Sequence, residues 1–485
     1  MKEENMAVLD NFRLLSSVPH GSGNTEEIKK LVIRFAEDRG LDYYADEAGN
    51  VIVYRPGGTG KENESPVILQ AHLDMVCAAE GRNPDFMRTE PVCILEKDGF
   101  LCADGTTLGA DDAMGAAMIL SVLEDTENNY PPIEAVFTND EEIGLIGAGK
   151  LDLGKLKGTR MINLDSEEEG VFTVGCAGAV QLWGTLPVKP FPLNEKDLRK
   201  YNAYRIRVSG LKGGHSGNDI AKGRLNAIYM LNNFCLSMQA ASGARLVSIE
   251  GGAADNVIPS SAEYVILFKR GLATLLMKVI AAKFIKNSLA ESDENKDTLR
   301  LDIERIKLPS SALSERNTQI VLSLISVNKT GVQEMLKDPS NVPMTSLNLG
   351  IAALGPEGLR LVYLIRSSKR RRKEQIVEDI EKNFRTTGGS SERKGDYPAW
   401  ERKEDAELLK IVKEVYKEIT GKDGRADITH GGLECGIFAS GMKDLEIVSL
   451  GPEMEGVHSV HEKVSIASVN TTYEVLKEVL RRCIS

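Results

Sequence analysis

Two of the six histidines in the 485 residues follow apolar segments that resemble buried strands. His72 comes directly after residues 67–71, so His72 and Asp74 should point to one face at the carboxyl end of a strand. His458 follows the late apolar segment 444–450 through a Gly-Pro turn. A single histidine at a strand end is more often structural than a metal ligand, so the neighbouring residues decide its interpretation.

Carboxylates follow two further apolar segments in the same manner. Residues 133–137 run into three adjacent acids that include Glu141 and Glu142, and residues 161–164 end at Asp165. The carboxyl edge of an open α/β sheet is where ligands bind. Carboxylates that converge there beside imidazoles would repel one another unless cations held them, so we predict a metal site.

Asp111 adds a third carboxylate to this predicted site. It precedes a helix predicted over residues 112–123, where it could serve simply as an N-cap, but between the other ligands its two oxygens could bridge two ions. Two histidines and three carboxylates suit zinc, with manganese or cobalt as substitutes. Two ions about 3.5–4 Å apart can share and activate one water. Glu141 is then the candidate general base, and Asp74 can orient the imidazole of His72.

The elements that must position these residues alternate between helix and strand at both ends of the chain. We predict helices over 24–39, 112–123, 404–419 and 469–482, and strands over 50–54, 66–70, 133–137, 161–164 and 444–450. This alternation predicts an α/β domain with a mixed sheet flanked by helices. The middle of the chain differs, because alternating strands (204–208, 263–268) and a helix (373–384) indicate an inserted α+β domain. Residues 386–396 are a candidate return linker.

The composition excludes several classes of protein. The net charge of −11 is the wrong sign for neutralising nucleic-acid phosphates. We see no signal peptide and no apolar run long enough to span a membrane, so we expect a cytoplasmic protein. The seven cysteines form no Cys-x-x-Cys pair and are predicted to be reduced thiols, not a disulfide frame or a thiolate metal site.

Several motifs together resemble a known family, the dizinc aminoacylase and carboxypeptidase-type metallopeptidases. The motifs are His72-Leu-Asp74-Met-Val, Gly109-Ala-Asp111-Asp-Ala-Met-Gly115, Asp140-Glu-Glu142-Ile-Gly144, Asn163-Leu-Asp165-Ser-Glu167 and His458-Ser-Val-His-Glu462. Further segments are similar to the branch of cytosolic aminoacyl-histidine dipeptidases, also called Xaa-His dipeptidases or carnosinase-like. These are Gly213-Gly-His215-Ser-Gly217, Arg224-Leu-Asn-Ala227, residues 251–259 and His430-Gly-Gly-Leu-Glu-Cys-Gly436.

The resemblance implies a phosphorylase/hydrolase-like zinc exopeptidase architecture and two bound Zn²⁺ ions. One zinc would be held by His72 and Asp165 and the other by Glu142 and His458, with Asp111 bridging. The same resemblance implies that Glu141 is the base. It also implies a catalytic domain of residues 1–186 and 396–485 and a lid domain of residues 187–395.

The resemblance further implies that the lid binds a small peptide and forms a homodimer. His215 would stabilise the oxyanion, and Asn256 and Arg366 would hold the terminal carboxylate of the substrate. The sequence departs from the family at Val460 and His461, where proline and aspartate are usual, and in the basic run 369–373, which we interpret as a solvated helix start.

We therefore predict a dipeptidase that acts on Xaa-His substrates. The alternatives are a tripeptidase or an N-acyl amino acid hydrolase with the same metal site, and a non-catalytic peptide-binding protein on the same scaffold. No metal ligand and no candidate base is missing from the motifs, which favours an enzyme.

Overall fold

A computed structural model describes residues 3–291, 298–338, 341–403 and 405–483 and divides the chain into two units. The first unit comprises Met1–Cys176, Trp400–Thr429 and Leu433–Ser485, and the second comprises Ala177–Ala399 and His430–Gly432. The boundaries predicted from the sequence are 186/187 and 395/396. The predicted fold class, an α/β domain with an α+β insertion, is confirmed.

Helices and strands are numbered in chain order. The α-helices are α1 (Glu3–Ser16), α2 (Glu26–Asp38), α3 (Ala110–Glu124), α4 (Ile146–Lys150), α5 (Glu195–Lys200), α6 (Ala227–Ser242), α7 (Leu272–Glu291), α8 (Glu315–Val327), α9 (Arg370–Thr387), α10 (Glu407–Thr420), α11 (Cys435–Gly441) and α12 (Ile466–Arg482). The strands are β1 (Asp42–Ala45), β2 (Val51–Arg55), β3 (Val67–His72), β4 (Ile94–Lys97), β5 (Phe100–Ala103), β6 (Ile133–Thr138), β7 (Arg160–Asn163), β8 (Val171–Cys176), β9 (Gly178–Leu186), β10 (Phe191–Pro192), β11 (Tyr201–Ser209), β12 (Gly214–His215), β13 (Ala244–Gly251), β14 (Val257–Ile258), β15 (Ala262–Lys269), β16 (Arg300–Ile306), β17 (Ser311–Ala312), β18 (Gly331–Met335), β19 (Pro343–Gly355), β20 (Gly358–Ser367), β21 (Ser390–Tyr397), β22 (Arg425–Thr429), β23 (Glu446–Ser449), β24 (Met454–Glu455) and β25 (Lys463–Ser465).

The first unit contains a mixed eight-stranded sheet in the order β1-β2-β6-β3-β7-β23-β8-β22. The four neighbours β6, β3, β7 and β23 run parallel, so their carboxyl ends lie at the same edge. Every residue of β3 and of β6 is buried, which explains why these strands appear in the sequence as continuous apolar segments. A separate four-stranded sheet, β24-β25-β5-β4, belongs to the same unit.

Helix α3 packs against β3 and is buried on almost all sides. Its small residues allow close approach to the sheet. A Cβ atom at Gly115 would lie 2.7 Å from the Cβ of Leu164, so glycine is required where α3 meets the segment that follows β7. This contact fixes the start of α3 against the residue that precedes Asp165.

The second unit contains a large antiparallel sheet in the order β16-β11-β15-β13-β19-β20-β9-β21, with β18 paired to β19. Helices α6, α8 and α9 pack against its strands, and their apolar faces share one core with the sheet. Strands such as β11 alternate buried and more exposed residues, which matches the period-two pattern in the sequence.

Two local predictions in this unit need correction. Residues 386–396 do not form a linker throughout, because β21 begins at Ser390 and pairs with β9. Its charged, exposed side chains are those of an edge strand, which resists pairing with other chains. Lys373 is not solvated but 3% exposed, and its Nζ donates to the Asp396 carboxylate and, at 2.7 Å, to the carbonyl of Tyr397.

The remaining predicted elements are present with small shifts at their ends. Helix α10 begins at Glu407, and residue 404, where that helix was predicted to begin, lies outside the described residues. No disulfide joins the seven cysteines. Within the described parts of the chain, no helix has both the length and the apolar character needed to cross a bilayer.

Candidate metal centre

Five elements of the first unit bring the predicted ligands to one place at the carboxyl edge of the sheet. His72 is the last residue of β3, Glu142 lies in the loop after β6, and Asp165 follows β7. Asp111 lies in the first turn of α3, and His458 lies in the loop between β24 and β25. The parallel register aligns these strand ends, because His72 pairs with Thr138 on β6 and Gln70 pairs with Asn163 on β7.

The carboxylate of Asp111 lies between the two imidazoles. Its Oδ1 is 3.2 Å from Nε2 of His72, and its Oδ2 is 3.1 Å from Nε2 of His458. Asp165 Oδ1 is 3.7 Å from the same nitrogen of His72, and Glu142 Oε1 is 2.7 Å from that of His458. The five side chains therefore form two groups that share Asp111.

These distances fit two divalent cations. Two ligand atoms that each lie about 2.0 Å from a tetrahedral zinc ion are about 3.3 Å apart, and the four separations here range from 2.7 to 3.7 Å. Imidazole nitrogens with carboxylate oxygens are the donors that zinc, manganese and cobalt accept. The residues present therefore suit a pair of such ions.

Burial and close contacts shift the pKa values of the ionisable groups in the centre. Burial alone would lower the pKa of His72, but its hydrogen bond to Asp111 and the nearby Asp165 carboxylate raise that pKa well above its usual value. Hydrogen bonds to Asp111 and Glu142 raise the pKa of His458 to about 11. Burial raises the pKa of Asp165 to about 8.

Asp74 holds two of the site segments together. The Nδ1–H of His72 donates to the carbonyl oxygen of Asp74 at 2.9 Å, which leaves Nε2 directed at the carboxylates. The Asp74 carboxylate is 3.7 Å from Nδ1 and instead accepts the backbone N–H groups of Glu141, at 2.9 Å, and Glu142, at 3.3 Å. Asp74 therefore orients the imidazole through its backbone and the Glu141–Glu142 loop through its side chain.

Glu141 lies next to the predicted ligand Glu142 and is partly buried. One carboxylate oxygen of Glu141, one ring nitrogen of His72 and one carboxylate oxygen of Glu142 lie within 4.8 Å of one another. Burial raises the pKa of Glu141 well above its usual value. A carboxylate with a raised pKa beside a metal centre has the properties of a general base.

Asp112 also lies in the centre, although its position in the sequence does not predict a role there. It is completely buried, and its Oδ2 accepts the backbone N–H of His72 at 3.2 Å. One of its oxygens, one ring nitrogen of His72 and one oxygen of Asp165 lie within 4.8 Å of one another. Its position next to Asp111 could have indicated a role in the centre. However, one of two successive acids at the start of a helix is ordinarily an N-cap. The position of Asp111 between both imidazoles makes Asp111 the better candidate for the bridge.

The predicted substrate-binding residues lie in the second unit. His215, on β12, pairs with Val257 on β14, and the Ser216 N–H donates to the carbonyl of Asn256 at 2.8 Å, so His215 and Asn256 are neighbours. Arg366 donates to the hydroxyl of Tyr397 at 3.0 Å. His461, which the sequence left without a role, is exposed and is absent from the three groups of candidate metal ligands found among the described residues.

Arg366 also lies near a buried histidine that the sequence analysis quoted only as part of a motif. The Ser346 hydroxyl, on β19 opposite Arg366, is 2.7 Å from Nε2 of His430. Burial, and then the charge of Arg366, lower the pKa of His430 to about 3. A Cβ atom at Gly217 would lie 3.0 Å from the His215 ring and 3.6 Å from the carbonyl oxygen of His430. These residues form one polar cluster in the second unit.

Comparison with known proteins connects this arrangement to a peptidase family. The sequence profile of "Peptidase family M20/M25/M40" matches residues 68–482. The chain is 31% identical over 474 residues to the cytosol non-specific dipeptidase of Escherichia coli strain K12, covering 97% of this chain and 96% of that protein. The crystal structure of the aminoacylhistidine dipeptidase of Vibrio alginolyticus is similar with a TM-score of 0.88 and 29% identity, covering 99% of this chain and 96% of that one. A tripeptidase from Staphylococcus aureus, at TM-score 0.55 and 18% identity over 99% and 98% of the two chains, shares the fold alone.

Proposed function

This chain belongs to peptidase family M20/M25/M40, and from that membership we propose that it is a cytosolic, two-zinc dipeptidase that hydrolyses Xaa-His-type dipeptides. One observation carries the metal part of the proposal: the two oxygens of Asp111 face two different imidazoles at 3.2 and 3.1 Å. The similarity over 97% of the chain to a dipeptidase supports the substrate class. Manganese or cobalt could replace zinc with the same donors.

We propose that His72 and Asp165 hold one cation and that Glu142 and His458 hold the other. Asp111 would bridge them. His72 and Asp165 are largely buried, whereas the side chain of His458 is 49% exposed. The second cation would therefore be the more accessible of the two.

When bound, the cations would polarise the peptide carbonyl and lower the pKa of the attacking water. Glu141 would take the proton of that water and pass it to the nitrogen of the leaving amine. Asp74 supports this role, because its carboxylate fixes the backbone N–H of Glu141 at 2.9 Å. The Nδ1–H bond from His72 to Asp74 would keep the Nε2 lone pair available for a cation.

We further propose that His215, Asn256 and Arg366 of the second unit bind the substrate. His215 would donate to the carbonyl oxygen as negative charge develops on it, and Asn256 and Arg366 would bind the terminal carboxylate. The contact of Arg366 with Tyr397 supports a fixed orientation of the guanidinium. A homodimer through this unit is part of the same proposal and rests on the family resemblance.

The test is hydrolysis by metal-reconstituted protein of three matched substrates: a free Xaa-His dipeptide, the same dipeptide with an acetylated amine, and a tripeptide that contains it. We expect the free dipeptide to be cleaved with the highest kcat/KM. Preference for the tripeptide or for the acetylated substrate would replace the proposal with a tripeptidase or an N-acyl amino acid hydrolase. No hydrolysis of any substrate after reconstitution with zinc or manganese would contradict the proposed catalysis.

A further inference from the structure

The carboxylate of Glu462 accepts hydrogen bonds from four successive backbone N–H groups. Oε2 accepts from Leu108 at 2.8 Å and from Gly109 at 3.0 Å, and Oε1 accepts from Ala110 at 2.7 Å and from Asp111 at 3.4 Å. Glu462 is 3% exposed, and its four donors end at the residue that we propose as the metal bridge. None of the functions described above uses Glu462.

The N–H groups at the start of α3 need an acceptor from outside the helix. The first N–H groups of a helix lack intrahelical acceptors, and those before α3 are buried with Leu108 and Ala110, which are both 0% exposed. Gly109 has φ of 72°, a left-handed conformation that turns successive N–H groups toward one point. Gly109, the N-cap residue of α3, has no side chain that could cap the helix, and the distant carboxylate of Glu462 performs this function.

Glu462 ends the short turn, residues 456–462, that contains His458. The backbone of His458 has φ of 63°, a conformation that side chains other than glycine adopt with strain, and its own side chain is half exposed. The turn that holds it is short: Ser459 N–H donates to Gly456 at 3.1 Å, and Glu462 N–H donates to Ser459 at 3.1 Å. The buried carboxylate of Glu462 is therefore the anchor of the turn that presents His458.

We propose that Glu462 is a positioning residue that sets the separation of Asp111 and His458 and so assembles the half of the metal centre formed by Asp111, Glu142 and His458. This inference rests on one part of the proposed function, namely that Asp111, Glu142 and His458 bind a cation. Glu462 contacts no reacting atom. His72 is the last residue of β3 and pairs with Thr138 on β6, and Asp165 lies two residues beyond the end of β7. In their half of the centre only the shared Asp111 is bound to Glu462.

Two substitutions of Glu462 and one control separate this role from a general effect on folding. Glu462→Gln keeps the size of the side chain but turns an NH₂ group toward two of the four N–H donors. Glu462→Asp keeps both oxygens but withdraws them by one methylene. The control is Glu455→Gln in β24, the strand that precedes the His458 loop, because Glu455 is exposed and its carboxylate lies 3.0 Å from Nζ of Lys463.

Two measurements test the proposal: hydrogen exchange of the 108–111 amides in the metal-free protein, and metal content after dialysis against zinc. In Glu462→Gln we expect faster exchange at 108–111 with unchanged exchange in β3, and one tightly held zinc per chain instead of two, the other being weakened about 10- to 100-fold. Glu462→Asp should show the same changes to a smaller extent, and it decides the question if the Gln variant does not fold. Glu455→Gln should match the wild type.

Wild-type exchange at 108–111 in both Glu462 variants, or equal retention of two zinc ions, would overturn the proposal. Equal weakening of both ions would also overturn it, because Glu462 positions two ligands of one ion, Asp111 and His458, but only Asp111 for the other. The exchange measurement is made without metal or substrate, so a wild-type protein that hydrolyses no dipeptide would contradict the proposed function while leaving this test intact.

Discussion

A buried carboxyl group beneath the metal centre offers a quantitative test of how the strand ends are held. Glu434, the residue before α11, is 0% exposed. Its Oε2 accepts from Gln70 Nε2 of β3 at 2.6 Å and from the hydroxyl of Thr138 of β6 at 2.5 Å. Gln70 accepts in turn from Asn163 of β7 at 2.7 Å. One carboxyl group thus joins the three strands that lead to His72, Glu142 and Asp165.

The expected cost of Glu434→Ala follows from these bonds. The substitution leaves two buried donors without their acceptor, at about 1–3 kcal/mol each. Gln70 can still donate to the Thr138 oxygen at 3.1 Å, so we expect the first unit to lose about 2–4 kcal/mol in free energy of unfolding. Glu434→Gln keeps an acceptor at Oε2, and Oε1 has no hydrogen-bond partner among the described residues, so the amide should cost about 1 kcal/mol or less.

Urea unfolding followed by tryptophan fluorescence measures this difference in the first unit alone. The two tryptophans are divided between the units: Trp400 is buried in the first and Trp183 lies in the second. In a Trp183→Phe background the emission therefore reports on the first unit. We expect a lower midpoint for Glu434→Ala with an unchanged m-value, and a midpoint near wild type for Glu434→Gln. Alanine and glutamine variants with equal midpoints would refute the role of these hydrogen bonds.

The same variants respond differently to pH in the metal-free protein. Burial raises the pKa of Glu434 from 4.5 to about 7. The folded chain then binds more protons than the unfolded chain between these values, so its stability should fall as the pH rises through that window. Glu434→Gln lacks this titration. From pH 5 to pH 8 its free energy of unfolding should therefore rise by about 2–3 kcal/mol relative to that of the wild type. A constant difference across this range would show that the carboxyl does not titrate there.

Three further predictions concern the site and the second unit. Glu141→Ala should retain both metals but lose about 100-fold or more in kcat, whereas Asp111→Ala should also lose metal, and equal metal content in the two variants would contradict their assigned roles. Because burial and Arg366 lower the pKa of His430 to about 3, the unfolded chain binds the extra proton below pH 6.5, and acid should destabilise the second unit. When the pH falls from 7 to 5, calorimetry should show that His430→Gln loses about 2 kcal/mol less free energy of unfolding than the wild type. Identical losses would contradict this prediction. Light scattering should give twice the mass of one chain, and the mass of a single chain would exclude the homodimer.

The strands that carry the site could be predicted because their burial is visible in the sequence. Strands β3 and β6 are buried throughout, so each appears as an apolar run that ends abruptly at polar residues. Parallel neighbours end at one edge, so the convergence of His72, Glu142 and Asp165 followed from their positions alone. The place of Asp111 between the imidazoles did not follow from spacing, since a helix-capping aspartate has the same local pattern.

Buried polar residues whose partners are distant in the chain cannot be recognised from an apolar pattern in the sequence. Glu462 binds the N–H groups of residues 108–111, which lie far away in the chain, and Glu434 binds side chains on two strands. The composition of residues 386–396 predicts a linker because a charged edge strand such as β21 has the composition of a loop. Lysine is seldom buried, so the sequence predicts a solvated Lys373. In the structure Asp396 and the Tyr397 carbonyl compensate its charge.

The most direct test is a crystal structure of the zinc-loaded protein with anomalous scattering measured at the zinc edge. We expect two anomalous peaks about 3.5–4 Å apart, with one oxygen of Asp111 bound to each, His72 and Asp165 on one ion, and Glu142 and His458 on the other. A single peak, no peak, or two peaks bridged by Asp112 in place of Asp111 would contradict the proposed centre.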